Sequence, residues 1–455
     1  MRLPMFLYFA TQLFMRKTVI LLTSILLSAL AFAGFASTSA EIVSRKEAAT
    51  FWRYNFRYET TDVDGKTPIV LSAAIFMSRQ VHDKEYKAPG CAILNHYTIT
   101  GNREAPTNVY GIFSFESFLQ QSNYFIVESD GIGFGITSKR SQPYLSGRVT
   151  ARNNIDAFIA ARSLLAAEGF EFGDIVLNLG YSQGGHSGMW VSRLVEEGYR
   201  AEELPRIDLA MLGGGPYDLQ ATYNQIVDSQ NSLYPVAIPL IVGGYLSSEG
   251  ANAKYEDFFL PDFVMRLPQW FESKESSSGE LNGQICYAFG GSRENGVAVS
   301  SFVSADFLNR NSDLMRRMSA WLDENSLVSS AWCPSKTERM AFVHSRIDEV
   351  VPYINMESLA GFLSANGYDN FAVIDNSERS HTQTGMMYVM AVLQQLETYQ
   401  PMRLAAANID YHNSPQLFDV EDAEGNQVMS GVNVAEIYQS LPSGEYSING
   451  FPFYK

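Results

Sequence analysis

Three cysteines and six histidines in 455 residues leave few places for covalent cross-links or for a metal ion to be held. That scarcity excludes a disulfide-dense scaffold, and nothing in the spacing of His96, His186 and Asp130 resembles a metal-ligand pattern. Basic charge is also short, with 33 Lys and Arg against 49 Asp and Glu and a formal net charge of −16. No dense Lys/Arg stripe occurs, so nucleic acid and an anionic membrane surface are excluded as main partners. Long apolar runs are absent beyond one near the N-terminus, which excludes a chain that crosses a membrane repeatedly. What is plentiful is apolar and aromatic material: 46% of residues are hydrophobic, with 29 Phe and 24 Tyr. This is a globular composition, sized for one large domain with insertions or for two smaller ones.

The N-terminal run reads as an export signal over residues 1–40. Arg16-Lys17 precedes an apolar stretch from Val19 to Phe35, followed by the small residues Ala36 to Ala40. Cleavage would follow Ala33 or Ala40, and Met15 would itself serve as a start. The alternative is an uncleaved membrane anchor. Of the cysteines, Cys91 opens a core-like strand, so the simplest arithmetic in an exported chain pairs Cys286 with Cys333.

Trp52, Tyr54, Phe56 and Tyr58 alternate with Arg53, Asn55, Arg57 and Glu59, the period of a half-buried strand, and residues 69–77 can return as its hairpin partner. The rhythm then changes. Short unbroken apolar runs at 92–94, 125–127, 175–179 and 209–212 alternate with helical segments, including 111–121 and Asn153 to Glu168. Continuous apolar strands between helices predict a mostly parallel central sheet with helices on both faces, an α/β class fold. The rhythm stops at Tyr217 and resumes at Met340 and Phe371. Residues 217–337, with a helix expected over Asp306 to Asn325, therefore read as a helical cap inserted after the sixth strand. The core would be 41–216 and 338–400, and residues 401–455 a small β-rich C-terminal appendage.

The chemistry centres on Gly180-Tyr181-Ser182-Gln183-Gly184-Gly185, which follows the strand Ile175 to Leu179 and opens a helix. Strand, sharp turn and helix around G-x-S-x-G is the context of a nucleophile elbow. An activated serine needs a base, and the base needs an orienting acid. His381 follows the apolar run at Phe371. Asp348 follows the strand that ends near His344, with Glu349 and Asp375 as competing acids. Each of Ser182, Asp348 and His381 falls at the C-terminal end of an expected parallel strand, where such sheets bind ligands. For the developing oxyanion, the backbone amide of Gln183 is one expected donor and that of Tyr97 the other, with Thr98 as its alternative. His96 and His186 read as loop-shaping and packing residues. The chemistry calls for no cofactor and no metal.

The Gly180–Gly185 motif, Ser129-Asp130-Gly131-Ile132-Gly133-Phe134-Gly135 and the Asp348-x-x-Val-Pro segment resemble the α/β-hydrolase superfamily. Within it they are most similar to secreted lipases and esterases with a long helical lid. The resemblance covers about residues 50–400 apart from much of the lid. It implies an α/β-hydrolase fold acting on small-molecule or lipid esters, with transient contact to a lipid surface, and assigns Ser182, Asp348 and His381 as the triad. Two departures stand out: the usual His-Gly of the oxyanion loop is His96-Tyr97, and the aromatic expected after Asp130 is Gly131. The same triad would also serve a peptidase or amidase, and a non-catalytic recognition protein could share the scaffold.

Overall fold

The computed structural model describes residues 40–48, 51–109, 119, 122–248, 251–329, 332–375, 379–407, 418–422, 424–432, 440–442, 445–448 and 451–454. The expected leader and most of the helix expected over 111–121 lie outside these residues. Among the described residues, nine strands form the main sheet: β1 (Ala40–Glu47), β2 (Phe51–Thr61), β3 (Pro68–Ser78), β4 (Ala88–Asn95), β5 (Phe125–Ser129), β6 (Phe172–Tyr181), β7 (Leu209–Gly213), β8 (Arg339–His344) and β9 (Phe371–Asp375). Their order across the sheet is β1-β2-β3-β5-β4-β6-β7-β8-β9. The first three run antiparallel, β3 meets β5 antiparallel, and β4 to β9 pair parallel. The insertion point after Leu209–Leu212 is where the sequence places it. It follows β7 because β1, ahead of the strands legible in the sequence, adds one to the count.

Alternation along the central strands divides the core between the two faces of the sheet. Cys91, Ile93 and Val176 point to one face, where they pack with Ile155, Phe158 and Leu165 of α1 (Gly147–Ala167), Met189 and Leu194 of α2 (Gln183–Glu196), and Leu359 of a later helix. Ala92, Leu94, Leu177 and Leu179 point to the other, against Tyr388, Val389 and Val392. Both faces are covered, so the strands are apolar throughout and not alternating. The expected helix from Asn153 begins earlier, at Gly147, over a stretch in which Arg148, Thr150 and Arg152 leave no apolar period. Asn154 Nδ2 donates to Asn95 Oδ1 at 2.7 Å, and Asp156 accepts from Thr60 Oγ1 at 2.7 Å.

The inserted segment carries α3 (Leu219–Ser229), α4 (Ala237–Leu246), α5 (Ser278–Ala288) and α6 (Asp313–Asn325). It has its own aromatic cluster around Phe259, Phe263 and Phe302, joined by Tyr144 and Leu145 from the core. The helix expected over Asp306 to Asn325 is broken ahead of Ser312, whose hydroxyl caps α6 by accepting from the Met315 amide at 3.1 Å. The core resumes with β8, α7 (Ile354–Ala365), β9 and α8 (His381–Ala407). The C-terminal residues form a separate four-stranded antiparallel sheet of β10 (Phe418–Asp422), β11 (Gln427–Val432), β12 (Glu445–Ile448) and β13 (Phe451–Tyr454).

The expected Cys286–Cys333 bridge does not form, and all three cysteines are free thiols. Cys286 is buried on α5 within the cap cluster, whereas Cys333 packs at the edge of the main core. The two side chains belong to different hydrophobic clusters, a separation that sequence spacing does not report.

Candidate active site

Ser182 sits between β6 and α2 with φ 59° and ψ −123°, a left-handed conformation that a side-chain-bearing residue reaches only under strain. Such a residue costs on the order of 1–3 kcal/mol and survives only where its neighbours over-determine it. Here they do. The Ser182 amide donates to Gly213 O at 2.9 Å, and the Ser182 carbonyl accepts from the Gly185 amide at 2.9 Å. Glycine on either side permits the close approach: a β-carbon on Gly180 would lie 2.2 Å from Gly184 O, and one on Gly184 would lie 2.0 Å from Asn95 O. The turn thus lifts the hydroxyl off the C-terminal end of β6.

His381, the first residue of α8, brings Nε2 to 3.0 Å from Ser182 Oγ and Nδ1 to 2.7 Å from Asp348 Oδ2. With Nδ1–H donating to the carboxylate, Nε2 is left to accept from the serine. Asp348 Oδ1 accepts from the amides of Val350 at 2.9 Å and Val351 at 2.7 Å. Burial pushes its carboxyl up, but the His381 charge, the hydrogen bond to that ring and the Val351 amide outweigh burial and hold it below the ordinary carboxylate range. All three side chains are largely buried.

The competing acids go elsewhere. Glu349 Oε2 accepts from the backbone amide of His381 at 2.9 Å, fixing the start of α8 and not the ring. Asp375 pairs with Arg346 at 2.6 Å. His344 is wholly buried, its Nε2 on Val351 O at 3.0 Å and 3.6 Å from Asp348 Oδ2. His186 is also wholly buried: Nε2–H donates to Asn325 O at 2.8 Å, and burial pushes its imidazole down to about 4, so it stays neutral. His96 Nδ1 bonds the Tyr97 carbonyl at 2.8 Å and shapes that loop.

The geometry can be set beside known proteins. No family model matches the chain, and no curated protein matches it in sequence. Solved structures do. The rice cell wall degrading esterase LipA from Xanthomonas oryzae superposes with a TM-score of 0.62 at 18% identity, over 80% of this chain and 96% of that one. A protein of Legionella pneumophila gives 0.63 at 17%, over 80% and 91%, and Candida antarctica lipase A gives 0.55 at 18%, over 77% and 78%. The chain has the α/β-hydrolase fold.

On the α/β-hydrolase sheet, Gln183 opens α2, where the first amides of a helix have no partner within it. The loop Asn95–Tyr97 lies against the same turn, since a β-carbon on Gly184 would also come within 3.1 Å of His96 O. The Thr98 side chain is held by Tyr144, hydroxyl to hydroxyl at 2.8 Å. Asp130 ties β3 to the segment at Thr107. It is wholly buried, accepts from Ser72 Oγ and from the Thr107 amide and hydroxyl, and is pushed up to about 6 by burial. Among the described residues no group of three or more His, Cys, Asp or Glu could hold a metal ion.

Several residues around the site are unmarked by any motif. Tyr181 OH donates to His381 O at 2.7 Å, and its ring lies 5.0 Å from the imidazole. Tyr388 OH accepts from the Gly180 amide at 2.7 Å and donates to Met211 O at 2.8 Å, tying α8 to both strands beneath the elbow. Asn325, at the end of α6, accepts from His186 and from Trp190 Nε1 at 3.1 Å on its carbonyl, and from the Gly147 amide at 2.9 Å on its side chain. These bonds join backbone to distant side chains, and local sequence carries no sign of them.

Proposed function

We propose that the protein is an exported serine hydrolase that cleaves carboxylic esters through an acyl-enzyme on Ser182. The hydrogen-bonded run from Ser182 through His381 to Asp348 carries this reading. In it, His381 Nε2 takes the Ser182 proton as Oγ attacks the ester carbonyl. The carbonyl oxygen becomes an anion facing the amides of Gln183 and Tyr97. Asp348, kept ionised, stabilises the imidazolium that forms. Collapse expels the alcohol, which takes its proton from His381, and leaves the acyl group on Ser182. Water, deprotonated by the same imidazole, then releases the acid. The aromatic cap over residues 217–337 favours an apolar acyl or aryl group. The basic, then apolar, then small-residue order of residues 16–40 supports export. Among the described residues no helix is long and apolar enough to cross a membrane.

Kinetics on a panel of p-nitrophenyl esters of increasing chain length, with matched p-nitroanilides, test the reading. Ester turnover that Ser182→Ala removes supports it. Preferential anilide cleavage would assign an amidase instead, and absence of turnover on every ester would favour a recognition role for the scaffold.

A further inference from the structure

A cavity of about 310 Å³ lies where the core segment Phe134–Gln142 meets the cap. None of Ser182, Gln183, Asp348, His381 or Tyr97 lines it. Its chemistry is two-sided. Phe134, Leu240, Leu267 and Phe271 make an apolar wall, while Lys139, Arg140 and Lys274 bring three cations to it against one acid, Glu272. In a chain of net charge −16 this is a local reversal of sign.

The cations differ in what they have left to offer. Lys274 is 9% exposed and held in a left-handed backbone conformation of φ 53°. Its ammonium lies 4.5 Å over the Phe134 ring and donates to Gly133 O and, at 2.7 Å, to Arg140 O. An ammonium has three N–H groups, so one remains. Arg140 gives one nitrogen to Asp62 at 2.8 Å and keeps further donors on its guanidinium. Lys139 is exposed and has no partner among the described residues. The Tyr255 hydroxyl, also on the wall, makes no hydrogen bond among the described residues.

We propose that this cavity binds a small amphipathic carboxylate, with its head group among Lys139, Arg140 and Lys274 and its alkyl or aryl body on Phe134, Leu240 and Phe271. A single negative charge suits the site. Two of the three cations already share their donors, and Glu272 at the rim repels a dianion more strongly than a monoanion. The site stands apart from the reaction proposed at Ser182.

Titration calorimetry with sodium decanoate on the full chain tests it, with decanol as the neutral twin. Lys139→Ala should weaken decanoate by about two- to fivefold and Glu272→Gln should tighten it by a similar factor, the scale of exposed charge pairs. Glu171→Gln, an exposed acid away from the cavity, should change nothing. Decanol should bind at least about tenfold more weakly, lacking charge-assisted hydrogen bonds. The measurement is repeated after fluorophosphonate treatment. If Ser182 fails to label, the triad reading fails and the binding result still stands. Equal binding of decanol and decanoate, charge variants without effect, or decanoate binding abolished by labelling of Ser182 would each overturn the proposal.

Discussion

His381 Nε2 lies 3.0 Å from Ser182 Oγ although 199 residues separate the two along the chain. The distance is set by two different devices. The strained elbow fixes the serine, whereas the imidazole is held at the head of α8 by Glu349 on its amide, Tyr181 on its carbonyl and Asp348 on its ring. The separation of roles among these contacts makes each one testable.

Asp348 and Glu349 are adjacent in sequence and do different things to the same histidine. Asp348→Asn should lower kcat by about 10⁴-fold, because an amide cannot hold the ring in the tautomer that accepts from Ser182. Glu349→Gln removes a charge from a backbone contact only, so kcat should stay within about tenfold of the parent. Steady-state ester kinetics on both variants check this. Equal losses would mean that the acid has been misassigned.

His186 stands four residues past the nucleophile but bonds the cap exit at Asn325. His186→Phe should lose about 1–3 kcal/mol of stability while retaining most ester turnover, whereas His381→Ala should lose turnover. The folded imidazole is pushed down to about 4, below its unfolded value. Its contribution to stability is therefore present above the unfolded pKa and is lost as pH falls through about 4. Urea melts between pH 7 and pH 4 should show a steeper acid loss in the parent than in His186→Phe.

Glu338 is 3% exposed, accepts from Ser192 Oγ at 2.6 Å, and is pushed up to about 8 by burial. A carboxyl whose folded pKa is raised contributes stability that is full below its unfolded pKa and lost as pH rises through about 8. Glu338→Gln keeps the acceptor and removes the charge. Its Tm advantage over the parent should grow by about 2 °C or more from pH 5 to pH 8 in calorimetry. A constant difference across that range would show the carboxyl is not held neutral.

How much of this was legible follows from which forces leave a pattern. Burial on both faces writes apolar runs, so β4 to β8 could be read and, with the glycines at 180 and 184, so could the elbow, while the half-exposed edge strand β9 was legible from its run Phe371 to Ile374. Ser182, Asp348 and His381 could be picked out too, because each follows the end of a parallel strand. β1 could not: it is an edge strand with mostly exposed, charged residues and no apolar period. The first turns of α1, from Gly147 to Arg152, were hidden because Arg148 and Thr150 stay outside the core and Arg152 is buried as a polar group, so no apolar period starts there. Tyr181, Tyr388 and Asn325 act on backbone atoms brought near only by the fold. The cysteine pairing was misread for the same reason, since spacing along a chain is not distance in space.

Intact-mass analysis after treatment with a fluorophosphonate tests Ser182 as the nucleophile most directly. A single adduct is expected on the parent protein, mapped to Ser182, and none on Ser182→Ala. An adduct that persists unchanged in Ser182→Ala, or a parent protein that never labels, would contradict it.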